Sequence, residues 1–241
     1  SRIVRMQTSS SSLVLRGISS MATKALLADL TQAYKAQTGV SVHIESVGGV
    51  DAAKRVQAGE AFDMVLLASD AIDKLMASGH VQTGSRCDWV RSPVAVAVQA
   101  GAAHPDLSNE AALKAAVLAS PTLSYSTGPS GVYLEKLFAR WGIADEVKPR
   151  IVVPPPGTPV GALVASGKAA LGFQQLSELI ALPGIDVLGT LPADVAFITT
   201  FSSGIPAVIA NDAARVAAVQ SFLQFLASAG VEDVKRKQGM D

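Results

Sequence analysis

Short apolar runs alternate along the chain with longer segments in which apolar residues recur at helical spacing. This alternation is typical of β-loop-α units around a mostly parallel sheet, so the pattern predicts an α/β fold. In the first part of the chain, strands are predicted at 13–15, 41–47 and 62–68, and helices at 26–38, 51–58 and 71–78. Farther along, strands are predicted at 122–126, 169–175, 186–189 and 197–200, and helices at 109–119, 134–141, 160–166 and after a capping Asn211.

Two segments of the pattern predict that the chain crosses between two sheets. The apolar run Trp89–Val98 contains Pro93, which cannot donate a hydrogen bond to a sheet. The strand therefore begins at or after Pro93, or it leaves one sheet there for another. A return crossing is predicted at Ile205–Ile209. Two crossings predict two interleaved lobes, with residues 1–92 and 204–241 in lobe I and residues 93–203 in lobe II.

Composition narrows the classes of function. Twenty Lys and Arg balance twenty Asp and Glu, so no basic excess is available for a phosphate backbone and we expect no nucleic-acid partner. No apolar run approaches the ~20 residues of a membrane-spanning helix, and we expect no membrane insertion. A single cysteine, Cys87, excludes an internal disulfide. The first ten residues lack the apolar core of a signal peptide, so we expect either no signal or a processed chain.

Small polar residues and glycines cluster where a predicted strand passes into a helix. Such strand-to-helix junctions leave backbone N–H groups free at the positive end of a helix, which attracts anions. In an open α/β sheet these ends share the carboxyl edge of the strands, so several junctions can converge on one ligand. An ordinary N-cap is the alternative for each junction taken singly. The five junctions are Gly17–Ser20, Gly48–Asp51, Ser69–Asp70, Gly128–Gly131 and Gly157–Pro159.

Other polar side chains could add to such a site. Arg16 and Arg91 each interrupt an apolar strand at its end, where a guanidinium could grip a carboxylate or form a structural salt bridge. Gln174 and Gln175 end a predicted buried strand and offer both donors and acceptors. The three histidines are scattered without metal-ligand spacing, and we expect no metal and no cofactor. Neither a Gly-x-Ser-x-Gly elbow nor the context of Cys87 indicates a nucleophile.

Several stretches resemble the type II periplasmic substrate-binding proteins of ABC transporters, in particular the molybdate-binding branch. The resemblance covers nearly the whole chain and implies two α/β lobes joined by two crossing strands, with a ligand cleft between them that closes by hinge motion. One branch of this family comprises aconitate isomerase, and the segments 199–205 and 128–133 resemble that branch more than the molybdate binders. The stretches that carry the family resemblance are 20–30, 38–40, 55–69, 128–133, 164–173 and 188–192.

The resemblance also implies positions for the ligand contacts. The first serine donor of the molybdate binders falls on Ser19 or Ser20, whereas the second falls on Gly48-Gly49. The donor of lobe II falls on Ser130, the next falls near Pro159, and the family's tyrosine falls on Gln175. Glycines widen the pocket, which favours a larger carboxylate over a tetrahedral oxyanion. The expected ligand-binding residues are Arg16, Ser19, Ser20, Gly48, Gly49, Ser69, Arg91, Ser130, Gly131, Tyr133, Thr158 and Gln175.

The sequence therefore predicts a monomeric periplasmic protein that captures a di- or tricarboxylate and delivers it to an ABC permease. The alternative is an isomerase that moves a proton and a double bond between trans- and cis-aconitate on the same scaffold, and a third possibility is molybdate binding. A proton shift needs a base within hydrogen-bond reach of the carbon acid. The candidates for that base are Glu178, Asp70, Tyr133 and Ser19.

Overall fold

The computed structural model describes residues 13–241 and has a mixed α/β architecture, as predicted. The predictions for the first ten residues lie outside the described part. The strands are β1 Val14–Ser20, β2 Ser41–Val47, β3 Met64–Ala68, β4 Cys87–Gln99, β5 Leu123–Tyr125, β6 Leu171–Gln175, β7 Ile185–Thr190 and β8 Ile198–Gly204. The helices are α1 Lys24–Thr38, α2 Gly49–Gln57, α3 Ser69–Ala77, α4 Glu110–Ala119, α5 Pro129–Arg140, α6 Ala144–Val147, α7 Val160–Ala165, α8 Leu176–Leu179, α9 Ala213–Ala227 and α10 Glu232–Lys237.

The first lobe is built on three parallel strands. β1 lies between β2 and β3, and β8 then pairs antiparallel with β3 and with the first half of β4. One face of this sheet packs against α1 and α9 through residues such as Leu30 and Phe222, and the other packs against α2 and α3. Gly39 ends α1 in the left-handed conformation, with φ of 77°, which a glycine adopts without steric cost.

The second lobe is built on the second half of β4. β6 and β7 both pair antiparallel with it, and β5 pairs parallel with β6. The apolar side chains of β4 alternate between two clusters because successive residues of a strand point to opposite faces. Val94, Val96 and Val98 pack under α4 and α5, whereas Ala95 and Ala97 pack under α7 and α8.

β4 passes from one lobe to the other at Pro93, which confirms the second of the two interpretations of this strand. Pro93 is the last β4 residue in register with β8, opposite Ile198, and Val94 is the first in register with β6, opposite Gln175. A residue without an N–H fits the point where the hydrogen-bonding partner changes. The return crossing predicted at 205–209 is wrong, because Ala207–Ile209 is a 3₁₀ turn and the returning strand is β8.

Other differences from the predicted elements are local. β1 continues to Ser20 instead of ending near residue 15, and Asp212 rather than Asn211 caps α9. Two four-residue helices, α6 and α8, were not predicted because four residues are too few for a helical repeat of apolar positions. Within residues 13–241, no helix combines the length and apolar character that a membrane span requires.

Asp63 connects three parts of the first lobe and gives a test of the fold. This buried carboxylate accepts hydrogen bonds from the backbone N–H of Arg16 at 2.8 Å and from the guanidinium of Arg215 at 3.0 Å. We expect Asp63→Ala to lower the free energy of unfolding by about 2–3 kcal/mol, because both donors lose their acceptor. The control Asp233→Ala removes an exposed pair with Arg236 and should cost under about 1 kcal/mol in the same urea titration. Equal losses would contradict this role for Asp63.

Candidate ligand-binding cleft

The carboxyl ends of the parallel strands bring most of the predicted junctions to one edge of the structure. β1, β2 and β3 end at Ser20, Val47 and Ala68, and a helical segment begins directly after each of them. The first two junctions are adjacent, since a Cβ built on Gly49 would lie 3.9 Å from Cβ of Ser20. In the second lobe, β5 and β6 are parallel to each other and end at Tyr125 and Gln175.

The helices that begin at this edge lack side-chain caps. α2, α3 and α5 follow Gly48, Ala68 and Gly128, and within the described chain no side chain at these positions accepts a hydrogen bond from the first turn. Of the helices that begin elsewhere, α4 and α9 are capped by Asn109 and Asp212, which accept from the N–H groups of Ala112 and Arg215, whereas α6 and α10 have no side-chain cap among residues 13–241. The N–H groups of the first turns of α2, α3 and α5 are therefore free to bind an anion.

Several buried polar atoms between the lobes also have no partner among the described residues. They include Oγ of Ser20, Oγ1 of Thr23, Oγ of Ser92 and Oε1 of Gln175. A buried polar atom without a partner costs about 1–3 kcal/mol, so folded proteins keep few of them. Their concentration near one junction indicates a polar binding surface. Oε1 of Gln174 and Nε1 of Trp89 are also unpartnered.

Two side-chain hydrogen bonds hold the region where the lobes meet. Oγ of Ser177 in α8 donates to the carbonyl of Ala22, in the 3₁₀ turn Met21–Thr23, at 2.8 Å. Nε2 of Gln175 donates to Oγ1 of Thr199 at 2.9 Å. The amide of Gln175 therefore presents its free oxygen at the end of β6, at the position predicted for a ligand contact.

Thr23, Ser92 and Ser177 also lie in this region and were not predicted from the sequence. Ser92 carried one usable signal, because it is a polar residue next to Pro93 in an apolar strand. The other two carried none, since a Ser or Thr within a helical segment is most often exposed. Their contacts come from α8 and the Met21–Thr23 turn, which lie far apart in the chain.

Glu178 in α8 is a carboxylic acid without a partner. Its side chain is half-buried, and within residues 13–241 it takes part in no hydrogen bond or ion pair. Burial disfavours the charged form and raises the pKa of Glu178 from 4.5 to about 7. A carboxyl group with such a pKa can lose and regain a proton near neutral pH, which makes Glu178 a suitable acid–base group.

The two predicted arginines lie apart from this edge. Arg16 precedes the end of β1 by four residues, is exposed, and pairs through its backbone with Asp63. It looked terminal in the sequence because β1 was predicted too short. Arg91 forms an ion pair with Asp241 at 3.0 Å, and both its N–H and its carbonyl bond to the backbone of Asp241. Of the two roles considered for Arg91, the geometry therefore supports the structural salt bridge.

Two other predicted side chains, Ser19 and Tyr133, form hydrogen bonds within the protein. Oγ of Ser19 donates to the carbonyl of Ser20 and lies 2.7 Å from Oγ of Ser46. Oη of Tyr133 donates to the carbonyl of Val195 at 2.7 Å, and the ring stacks on Phe197. Burial raises the pKa of Tyr133 above its ordinary value. Both hydroxyls are therefore already committed as donors.

The remaining predicted residues lie at helix starts. Ser69 and Asp70 open α3, Ser69 half-buried and Asp70 exposed. Thr158 lies two residues before α7, and its N–H donates a hydrogen bond to the carbonyl of Pro155. Ser130 is buried in the first turn of α5. A cavity of about 470 Å³ opens beside this turn, with Ser126 and Thr127 in its wall.

Gly131 in α5 is required by close packing. A Cβ at this position would lie only 1.7 Å from the backbone oxygen of Ser126, far inside van der Waals contact. The glycine thus allows the β5–α5 loop to fold tightly over the start of α5. Gly131 was predicted to bind the ligand, but the close packing of the loop is sufficient to explain why a glycine stands at this position.

Two lobes joined through β4, with uncapped helix starts and unpartnered polar groups at their common edge, are the arrangement of a periplasmic substrate-binding protein. The chain belongs to the family described as bacterial extracellular solute-binding protein, whose model matches residues 15–241.

The comparisons with individual proteins agree with that family. A curated relative, aconitate isomerase of Pseudomonas sp, is 39% identical over 208 residues, covering 83% of this chain and 77% of that protein. The periplasmic molybdate-binding protein of Azotobacter vinelandii has a TM-score of 0.75 at 20% identity, over 94% of this chain and 98% of that chain. The sulfate-binding protein SubI of Mycobacterium tuberculosis has a TM-score of 0.74 at 16% identity, over 94% and 86%. At these identities the solved structures establish the fold alone.

The unpartnered hydroxyl of Ser92 leads to a stability prediction. Ser92 and Ser124 are both fully buried in strands, but Oγ of Ser124 donates to the carbonyl of Val152 at 2.7 Å. We expect Ser124→Ala to lower the free energy of unfolding by about 1 kcal/mol, and Ser92→Ala to leave it unchanged or raise it slightly. Denaturant unfolding of both variants without ligand measures the difference. A larger loss in Ser92→Ala would contradict the assignment of its hydroxyl to a ligand.

The raised pKa of Glu178 leads to a prediction about pH. In the unfolded chain the carboxyl ionises near pH 4.5, whereas in the folded protein it ionises near pH 7. The folded state therefore loses stability through this group as the pH rises between those values. We expect Glu178→Gln to raise the melting temperature relative to the unaltered protein at pH 8 and to have little effect at pH 4. A pH-independent difference would contradict the raised pKa.

Proposed function

We propose that the protein binds a small di- or tricarboxylate anion in the cleft between its lobes. The observation that carries this proposal is the set of free N–H groups at the starts of α2, α3 and α5, all at the cleft edge. Each helix start stabilises a nearby negative charge by about 0.3–1 kcal/mol, and several helix starts that converge on one ligand act together. Direct hydrogen bonds to a charged ligand add about 1.5–3 kcal/mol each.

The residues at the cleft favour a carboxylate over a compact oxyanion. Glycines at 48 and 49 stand where the molybdate binders are expected to carry a serine, which leaves more space beside Ser20. Nε2 of Gln175 donates one of its two hydrogens to Thr199, and the second can donate to a carboxylate oxygen of the ligand. The curated relative is an aconitate isomerase, and aconitate is a tricarboxylate. These features support an organic acid larger than molybdate or sulfate.

In the physiological setting that the family implies, the protein is a periplasmic monomer that delivers its ligand to an ABC permease. Its proposed lobes are residues 1–92 with 204–241, and residues 93–203. The pairing of β8 with β3 favours moving the second boundary to just before Ile198. Hinge motion at the two crossing segments would then open and close the cleft.

A second candidate function is isomerisation of the bound acid. The identity to the aconitate isomerase of Pseudomonas sp favours it, as does a carboxyl group of raised pKa in α8. Binding and isomerisation would use the same cleft and the same helix starts. The two functions differ in whether the bound acid exchanges a carbon-bound proton.

A ligand panel tests the proposed binding. Isothermal titration with trans-aconitate, cis-aconitate, citrate, molybdate and sulfate should give the strongest binding for one of the tricarboxylates. We expect Gln175→Leu to weaken that binding about 10- to 100-fold, since a hydrogen bond to a charged ligand is lost. The control Gln99→Leu removes an exposed amide that bonds to Ala165 and should leave the affinity unchanged. Binding of molybdate but of no carboxylate would overturn the proposal.

A further inference from the structure

The neighbours of α8 place this short helix, and Glu178 with it, where the two lobes meet. On one side Leu176 packs against Gly239, where a Cβ would lie 2.9 Å from Cγ of Leu176. On another side Leu179 is buried in the cluster that contains Val160. Ser177 bonds across to Ala22 of the first lobe.

Glu178 lies close in the chain to two side chains that contact the first lobe. Ser177 donates to the carbonyl of Ala22, and Gln175, three residues before Glu178, donates to Thr199. Glu178 therefore stands just beyond the carboxyl end of β6, where the lobes meet, and its side chain is half-buried.

No charge from the elements packed against α8 neutralises Glu178. These elements are the Met21–Thr23 turn, β4, β6, β7, α7 and the C-terminal segment 238–241. Their charged residues are each held in another ion pair, so burial is the cause of the raised pKa of Glu178. Those pairs are Asp88 with Arg86, Arg91 with Asp241 and Asp186 with His104.

We propose that Glu178 is the group that moves a proton on the bound acid, acting first as a base and then as an acid. This inference rests on the second candidate function. The Glu178 carboxylate takes a proton from the methylene carbon of the acid, and the electrons of the broken C–H bond form a new C=C bond. The electrons of the old C=C bond take the proton back from Glu178 at the far carbon. The sum is a 1,3-proton shift that needs no oxidant or cofactor.

The surrounding groups fit this step. Negative charge that develops on the substrate carboxylates during proton removal would be stabilised by the free N–H groups of α2 and α5. The other candidate bases fit less well. Oη of Tyr133 donates to the carbonyl of Val195, Oγ of Ser19 donates to the carbonyl of Ser20, and the side chain of Asp70 is exposed to solvent.

Proton exchange in D₂O provides the test. Purified protein is incubated with trans-aconitate, and loss of the methylene and vinyl signals is followed by proton NMR together with formation of the cis isomer. We expect Glu178→Gln to lower both rates about 10²- to 10⁴-fold while binding trans-aconitate within about threefold of the unaltered protein. Glu178→Asp should restore part of the rate. The control Glu146→Gln removes an exposed carboxylate paired with Arg150 and should leave both rates unchanged.

The pH dependence gives a second readout that a structural role would not produce. Because the base must be ionised, kcat/KM of the unaltered protein should rise with pH through about 7 and then level off. Glu178→Asp should shift the midpoint of this rise.

The outcomes separate the inference from the proposed function. Exchange in Glu178→Gln at the unaltered rate would overturn the role of Glu178 and leave isomerisation standing. Binding of trans-aconitate by the unaltered protein with neither proton exchange nor formation of the cis isomer would overturn both the role and isomerisation, while carboxylate binding remains. Failure to bind any carboxylate would overturn the proposed function itself.

Discussion

A single strand, β4, belongs to both sheets, and the arrangement of the whole cleft depends on it. Its first half pairs with β8 and its second half with β6 and β7, so the strand is buried in both lobes. The change of partner falls at Pro93, because a residue without an N–H cannot continue the ladder. Ser92, immediately before this point, is fully buried and lies between the two sheets, opposite Thr199.

At the edge where the two lobes meet, several polar groups lack hydrogen-bond partners among residues 13–241, and this lowers the stability of the folded protein. Side-chain caps satisfy the first turns of α4 and α9, but none does so for α2, α3 or α5 among the described residues. Several buried hydroxyl and amide oxygens there also lack partners. Folded proteins avoid such groups except where a ligand or water completes them. We propose that the unsatisfied groups form the binding surface, and the apolar clusters in each lobe offset their cost.

The charge of the site comes from the backbone more than from side chains. Of the two arginines predicted to bind a carboxylate, Arg91 forms an ion pair with Asp241, and Arg16 is exposed and bonds to Asp63 through its backbone N–H. No cation among residues 13–241 lowers the pKa of Glu178 against the effect of burial. The same local environment that attracts an anion through helix N–H groups therefore keeps a carboxyl group able to exchange protons near neutral pH.

The sequence by itself determined the α/β class and the order of the long elements, and it marked Pro93 as a candidate crossing between the sheets. Apolar periodicity and the chemistry of Gly and Pro are local properties, readable within a few residues. It also located Ser20, Gly49 and Gln175, because the ends of parallel strands share one edge in any such sheet. Only the tertiary structure decided that Arg16 and Arg91 are excluded from the cleft and that Thr23, Ser92 and Ser177 belong to it. Those assignments depend on strand lengths and on contacts between segments far apart in the chain, which no local pattern records.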